Sequence, residues 1–97
     1  MFEAQAVREG VRLVGRLDAA AAQEAERHLE TLVGSAAVDM SGLEYISSAG
    51  LGVLLKTHKR LVLAGGGLHL VEVNPHIVEI LHYSGFDLLF DVSPASS

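Results

Sequence analysis

The chain has 97 residues, 49% of them apolar, with no cysteine and a formal net charge of −5. That length supports one hydrophobic core but not two, and the apolar content argues against a disordered chain. The acid excess and the absence of a long basic run argue against a nucleic-acid surface. A lack of cysteine rules out disulfides and thiolate metal sites and fits a reducing cytoplasm.

Glu3, Arg8 and Glu9 interrupt any apolar run near the beginning, so no secretory signal is expected there. The longest apolar stretches fall far short of the roughly 20 residues of a membrane helix. The expectation is a soluble, cytoplasmic domain without direct membrane insertion.

Phe2 to Val7 and Val11 to Leu17 read as two strands, with Arg8-Glu9-Gly10 as the tight turn between them. Asp18 is a candidate cap for a helix from Ala19 to Val33 that Gly34 terminates. Ala22, Ala25, Leu29 and Leu32 form its apolar stripe, and Glu24, Glu26, Arg27 and Glu30 its wet side. Ala36 to Met40 is short and apolar, as a buried central strand would be, and Ser41 to Ser47 reads as a loop.

A second helix is predicted over Ala49 to Ala64, with Leu51, Leu54, Leu55, Leu61 and Val62 inward and Lys56, Lys59 and Arg60 late, where cations suit the dipole. Gly50 and Gly52 each cost its first turns about 1 kcal/mol relative to alanine, which suggests that something approaches closely there. Gly65-Gly66-Gly67 ends this helix, and Leu68 to Val73 is a further strand. Asn74-Pro75 pairs a side-chain cap with proline at the first helical position, opening a short helix that buries Ile77, Ile80 and Leu81 and stops at Ser84-Gly85. Phe86 to Val92 reads as a last strand by alternation. The domain is therefore expected to span residues 1–92, with 93–97 as a flexible tail. The alternation of strands and helices predicts one α/β domain: a mostly parallel sheet of four to five strands, an antiparallel edge strand, and helices packed upon it.

The chemistry concentrates between Val38 and Leu55. Ser47 and Ser48 stand where an apolar strand ends and a helix begins. Either serine can serve only as a helix cap. A phosphate would also be well held there, because free N–H groups and the helix dipole both favour an anion. Val53 lies off the inward stripe and hints at an apolar contact on the outer face. An esterase elbow is not indicated, since Ile46 stands where such a turn needs glycine before Ser48. The five histidines His28, His58, His69, His76 and His82 show no metal-ligand spacing, and Gly65-Gly66-Gly67 lacks the Lys-Ser or Lys-Thr of a phosphate loop. No catalytic residue, metal or cofactor is expected.

Asp39-Met40-Ser41 followed by Tyr45-Ile46-Ser47-Ser48-Ala49-Gly50-Leu51-Gly52 resembles the signature of the STAS domain, and more narrowly of the bacterial anti-sigma factor antagonists. Gly15-Arg16-Leu17-Asp18 and the order of elements extend the resemblance over nearly the whole chain. It implies a phospho-switched binding module rather than an enzyme, monomeric when free. Unphosphorylated, it would bind an anti-sigma factor that is also a serine kinase. Phosphorylation would separate the two, and a serine phosphatase would reset the cycle.

By alignment the acceptor is Ser48. Ser47 remains a second candidate, because many members carry aspartate in its place. Ala49 stands where many carry a further Ser or Thr. The expected partner-binding residues are Asp39, Ser47, Ser48, Ala49, Gly50, Gly52, Val53 and Lys56, with Asp39 and Glu44 adding to the negative charge beside a phosphate. The alternative that the resemblance allows is a STAS subunit of a stress-signalling scaffold or of a membrane transporter complex.

Overall fold

A computed structural model describes residues 1–95. Its elements are β1 (Phe2–Val7), β2 (Gly10–Leu17), α1 (Ala22–Leu29), β3 (Ser35–Ile46), α2 (Ser48–Leu63), β4 (Gly67–Val73), α3 (Pro75–Ser84), a 3-10 turn over Phe86–Leu88, and β5 (Asp91–Pro94). The five strands lie side by side in chain order, antiparallel for β1 and β2 and parallel thereafter. This is the single α/β domain that the sequence predicts.

Because every parallel strand follows its predecessor in the same direction, right-handed crossovers place all three helices on one face of the sheet. The burial pattern agrees. Val11, Leu13, Val38, Met40, Leu68 and Leu70 point into one core with Ala25, Leu29, Leu51, Leu54, Leu61, Ile77 and Leu81. The intervening residues Arg12, Ala37, Asp39, His69 and Val71 are only half-buried, on a face that no helix covers. Arg12, Asp39 and Val71 form one row across three strands, and the Arg12 guanidinium lies 3.3 Å from the Asp39 carboxylate.

Four expectations are corrected. The first helix is shorter than Ala19 to Val33. Asp18 accepts the Ala21 N–H within a turn, and α1 begins only at Ala22. At its other end Thr31 turns its hydroxyl onto the His28 carbonyl, while Arg60 of α2 donates to the carbonyls of Leu29 and Leu32 at 3.1 and 3.0 Å. These bonds satisfy the carbonyls that a helix end leaves free.

The central strand, in turn, does not stop at Met40. β3 runs on to Ile46, pairing with β2 up to that last residue but with β4 only over Ser35–Asp39. Ser41 and Gly42 look like loop residues, yet the Asp39 carboxylate accepts the Ser41 N–H, and two register shifts accommodate the irregularity.

Val62 does not point inward. It is half exposed, and the buried polar residue of α2 is Thr57, whose hydroxyl donates to the Val53 carbonyl.

Of Phe86 to Val92, only Asp91 and Val92 are strand. The 3-10 turn lets Phe86 and Phe90 stack with centroids 6.4 Å apart, and β5 forms later, over Asp91–Pro94. Ser93 and Pro94, expected in the tail, therefore belong to β5. Ser96 and Ser97 lie outside the described residues.

Elsewhere the local chemistry works as the sequence implies. The Asn74 side chain caps α3 by accepting the Ile77 N–H, and its amide also donates to the Leu43 carbonyl at 2.7 Å, tying α3 to β3. Gly85, in the left-handed region at φ 79°, ends α3. His58 of α2 accepts the Leu68 N–H through Nδ1 at 3.0 Å and packs on Phe90 at 5.3 Å.

Candidate functional site

The site lies where β2 and β3 end and α2 begins. Leu17 and Ile46 are paired neighbours, both buried, and the Ser47 N–H donates to the Leu17 carbonyl at 2.9 Å. The chain thus leaves the sheet at a fixed point and turns straight into α2. Ser47, in extended backbone at φ −92° and ψ 173°, is the cap. Its hydroxyl accepts the Gly50 N–H at 3.2 Å and its carbonyl accepts the Leu51 N–H at 2.9 Å.

Ser47 is therefore committed at all three polar groups, and it is half-buried. Ser48 is the first residue of the helix. It is exposed, and its hydroxyl makes no hydrogen bond among the described residues. The structure separates two adjacent serines that the sequence leaves open: one holds the helix start, and the other presents a free hydroxyl beside the positive end of a 16-residue helix.

The glycines of this helix separate in the same way. A Cβ on Gly50 would lie 2.7 Å from Leu17 Cγ and 2.9 Å from both Ile46 Cγ1 and the Leu17 carbonyl oxygen. The close approach at Gly50 is made by the protein's own sheet, and Gly50 is buried. Around Gly52 nothing lies within 4 Å of such an atom, so that side of the helix is open.

Ala49 is exposed beside Ser48. Val53 is half-buried and leans against the core rather than standing outward. Lys56 is exposed and pairs with Glu26 of α1.

Asp39 is not part of this cluster. Six residues of β3 lie between it and Ile46, a span of about 23 Å in extended chain. The expectation that Asp39 adds charge beside a phosphate depended on a loop that does not form. Burial pushes the Asp39 carboxyl up, but the Ser41 N–H and hydroxyl and the Arg12 guanidinium together outweigh it and hold it below the ordinary carboxylate value.

Two residues of the motifs that carry the resemblance, outside the expected partner-binding set, stand near the serines. Arg16 and Tyr45 are register partners one step before Leu17 and Ile46, and the guanidinium lies 4.4 Å from the ring centroid. Their neighbours Leu17 and Ile46 point into the core, so this stack lies towards the uncovered face. Their signal in the sequence is their place in the two motifs that begin at Gly15 and at Tyr45. Among the described residues no group of three His, Asp or Glu side chains is placed to hold a metal ion, and no helix is long and apolar enough to cross a membrane.

The STAS domain matches residues 5–97, and the chain belongs to that family. It is 38% identical over 85 residues to the Bordetella bronchiseptica protein BtrV, named as a candidate anti-sigma factor antagonist; the match covers 84% of this chain and 73% of that one.

Two solved structures share the fold. A candidate anti-sigma factor antagonist from Thermotoga maritima superposes with a TM-score of 0.77 at 22% identity, covering 95% of this chain and 85% of that one. The anti-sigma factor antagonist SpoIIAA, in its unphosphorylated form, superposes with a TM-score of 0.70 at 19% identity, covering 100% and 90%.

Proposed function

We propose that this chain is a cytoplasmic anti-sigma factor antagonist, a binding module switched by phosphorylation of Ser48. Unphosphorylated, it sequesters an anti-sigma factor that is itself a serine kinase; phosphorylated, it lets that partner go; a serine phosphatase restores it. The observation that carries the choice of residue is the division of labour at the start of α2. The Ser47 hydroxyl is spent on Gly50, and the Ser48 hydroxyl is exposed and unengaged.

The chemistry follows from that position. A phosphate on Ser48 adds about −1.5 to −2 charges and three acceptor oxygens. The first-turn amides and the helix dipole stabilise it within the free domain, so phosphorylation need not disturb the fold. A partner packed over Ser48 would instead have to bury that charge. A penalty of about 3 kcal/mol weakens binding roughly a hundredfold.

The test is phosphorylation by the cognate kinase-type anti-sigma factor with ATP, followed by site mapping. Modification is expected on Ser48, abolished by Ser48→Ala and retained in Ser47→Ala. Binding to the same partner should survive Ser48→Ala and fall at least thirtyfold in Ser48→Asp. Equal affinity of the alanine and aspartate variants would end this reading.

A further inference from the structure

The outward face of α2 does not stop at Ser48. Ser48, Gly52, Leu55, Lys59 and Val62 recur at steps of three and four residues, so they form one ridge about 21 Å long. Its far end opens into a mainly apolar groove of about 420 Å³ lined by Leu55, His58, Lys59, Val62 and Leu63 from α2 and by Leu89 across from them. Leu63 is 89% exposed, Val62 50% and Leu89 48%. Single exposed apolar residues are ordinary, but a contiguous group around a groove marks a contact.

The near end of the ridge cannot hold a partner alone. Ser48, Ala49 and Gly52 have almost no side chain to bury, and Arg16 with Tyr45 stacks towards the uncovered face of the sheet. A specific interface covers about 800 Å² on each partner and takes most of its energy from a few large side chains. Along this ridge the large side chains begin at Leu55.

The charge is also distinctive. α2 contains no acidic residue, in a chain with twelve. Lys56 is paired with Glu26, and Arg60 is spent on carbonyls at the end of α1. Lys59 is exposed and belongs to none of the ion pairs among the described residues.

We propose that the groove formed by Leu55, Val62, Leu63 and Leu89 is the anchor for the anti-sigma partner, taking an apolar side chain of that partner with a carboxylate beside it for Lys59. This rests on the function proposed above and divides the ridge into two parts. The Leu63 end supplies affinity whatever the state of Ser48. The Ser48 end, some 20 Å away, supplies the veto.

The experiment is titration calorimetry of the purified cognate anti-sigma factor against the full chain and its variants. Val62→Asp and Leu63→Asp are each expected to weaken binding at least thirtyfold, and Lys59→Glu about tenfold. Both apolar sites are exposed, so folding should be intact, which thermal melting checks. Tyr83→Asp, equally exposed but on α3, is expected to bind as the parent chain does.

If Ser48→Asp weakens binding while Val62→Asp and Leu63→Asp do not, the anchor is wrong and the switch stands. If the groove variants weaken binding and Ser48→Asp does not, the switch is wrong and the anchor stands. Sedimentation of the chain alone provides the remaining outcome. A dimer dissolved by Leu63→Asp, with partner binding unchanged, would assign the groove to a second copy and overturn the proposal.

Discussion

Replacing Gly50 and Gly52 separately by alanine sets the same chemical change in two opposite environments two residues apart. Within a helix, alanine is favoured over glycine by about 0.5–1 kcal/mol, since less backbone freedom is lost on folding. At Gly52 nothing lies within 4 Å of the added methyl, so that gain is realised in full. For a domain of this size it raises the melting temperature by roughly 2–8 °C.

At Gly50 the methyl meets Leu17 Cγ at 2.7 Å and the Leu17 carbonyl oxygen at 2.9 Å. Leu17 is fully buried and its carbonyl holds the Ser47 N–H, so neither atom moves cheaply. Overpacking of that kind costs about 1–3 kcal/mol. Set against the propensity gain, the net loss is up to about 2.5 kcal/mol, or up to roughly 20 °C. Calorimetric melting of the two variants beside the parent chain measures both signs. A Gly50→Ala variant that melts at or above the parent would refute the claim that this helix start is wedged against β2. The Gly52 variant has a second readout: although more stable, it should bind the partner less well, because its methyl stands on the ridge shared with Ser48.

Three further outcomes are expected. Ser47→Ala should cost about 1 kcal/mol in urea denaturation through loss of the cap, while Ser48→Ala stays within about 0.5 kcal/mol of the parent. Arg60→Met should cost about 1–3 kcal/mol, with faster hydrogen exchange confined at first to the end of α1, because the carbonyls of Leu29 and Leu32 lose their donor. Asp39→Asn should lower stability by less than about 1 kcal/mol at pH 7, as the pair with Arg12 is partly solvated. The carboxyl is held below its ordinary value in the fold, so its contribution is present above about pH 4 and is lost as the pH falls through the folded value. Denaturation of parent and variant should therefore converge once the pH lies below the folded value.

Where local chemistry is self-contained, the chain could be read directly. Asn74-Pro75 opens α3 and Gly85 closes it, while the first hairpin turns on Arg8-Glu9 alone, with Gly10 already paired in β2. Misreadings arose where distant residues decide. Ser41-Gly42 continues a strand because β2 pairs with it from outside, a contact invisible to local composition. α1 ends early because Arg60, thirty-one residues beyond Leu29, claims its carbonyls. Phe86 and Phe90 fit a strand's period of two, but their separation of four is the one that lets the rings stack.

The site followed the same rule. Serine at a helix start was legible, but which serine caps and which is free depends on the Leu17 carbonyl that fixes the Ser47 N–H. Gly50 was rightly read as a point of close approach, though the approaching group is Leu17 rather than a partner.

The strand order has a consequence for how the molecule comes into being. Each strand pairs with the one made immediately before it, so no strand waits for a distant partner. Loop-closure entropy is met in small instalments, and rates of folding rise as contacts become more local. During synthesis the hairpin of β1 and β2 can form first, each helix–strand unit can then dock beside the last, and β5 completes the open edge. On that route the start of α2 is seated against Leu17 before β4 has been made. The serine switch is thus assembled on the half of the sheet that exists earliest.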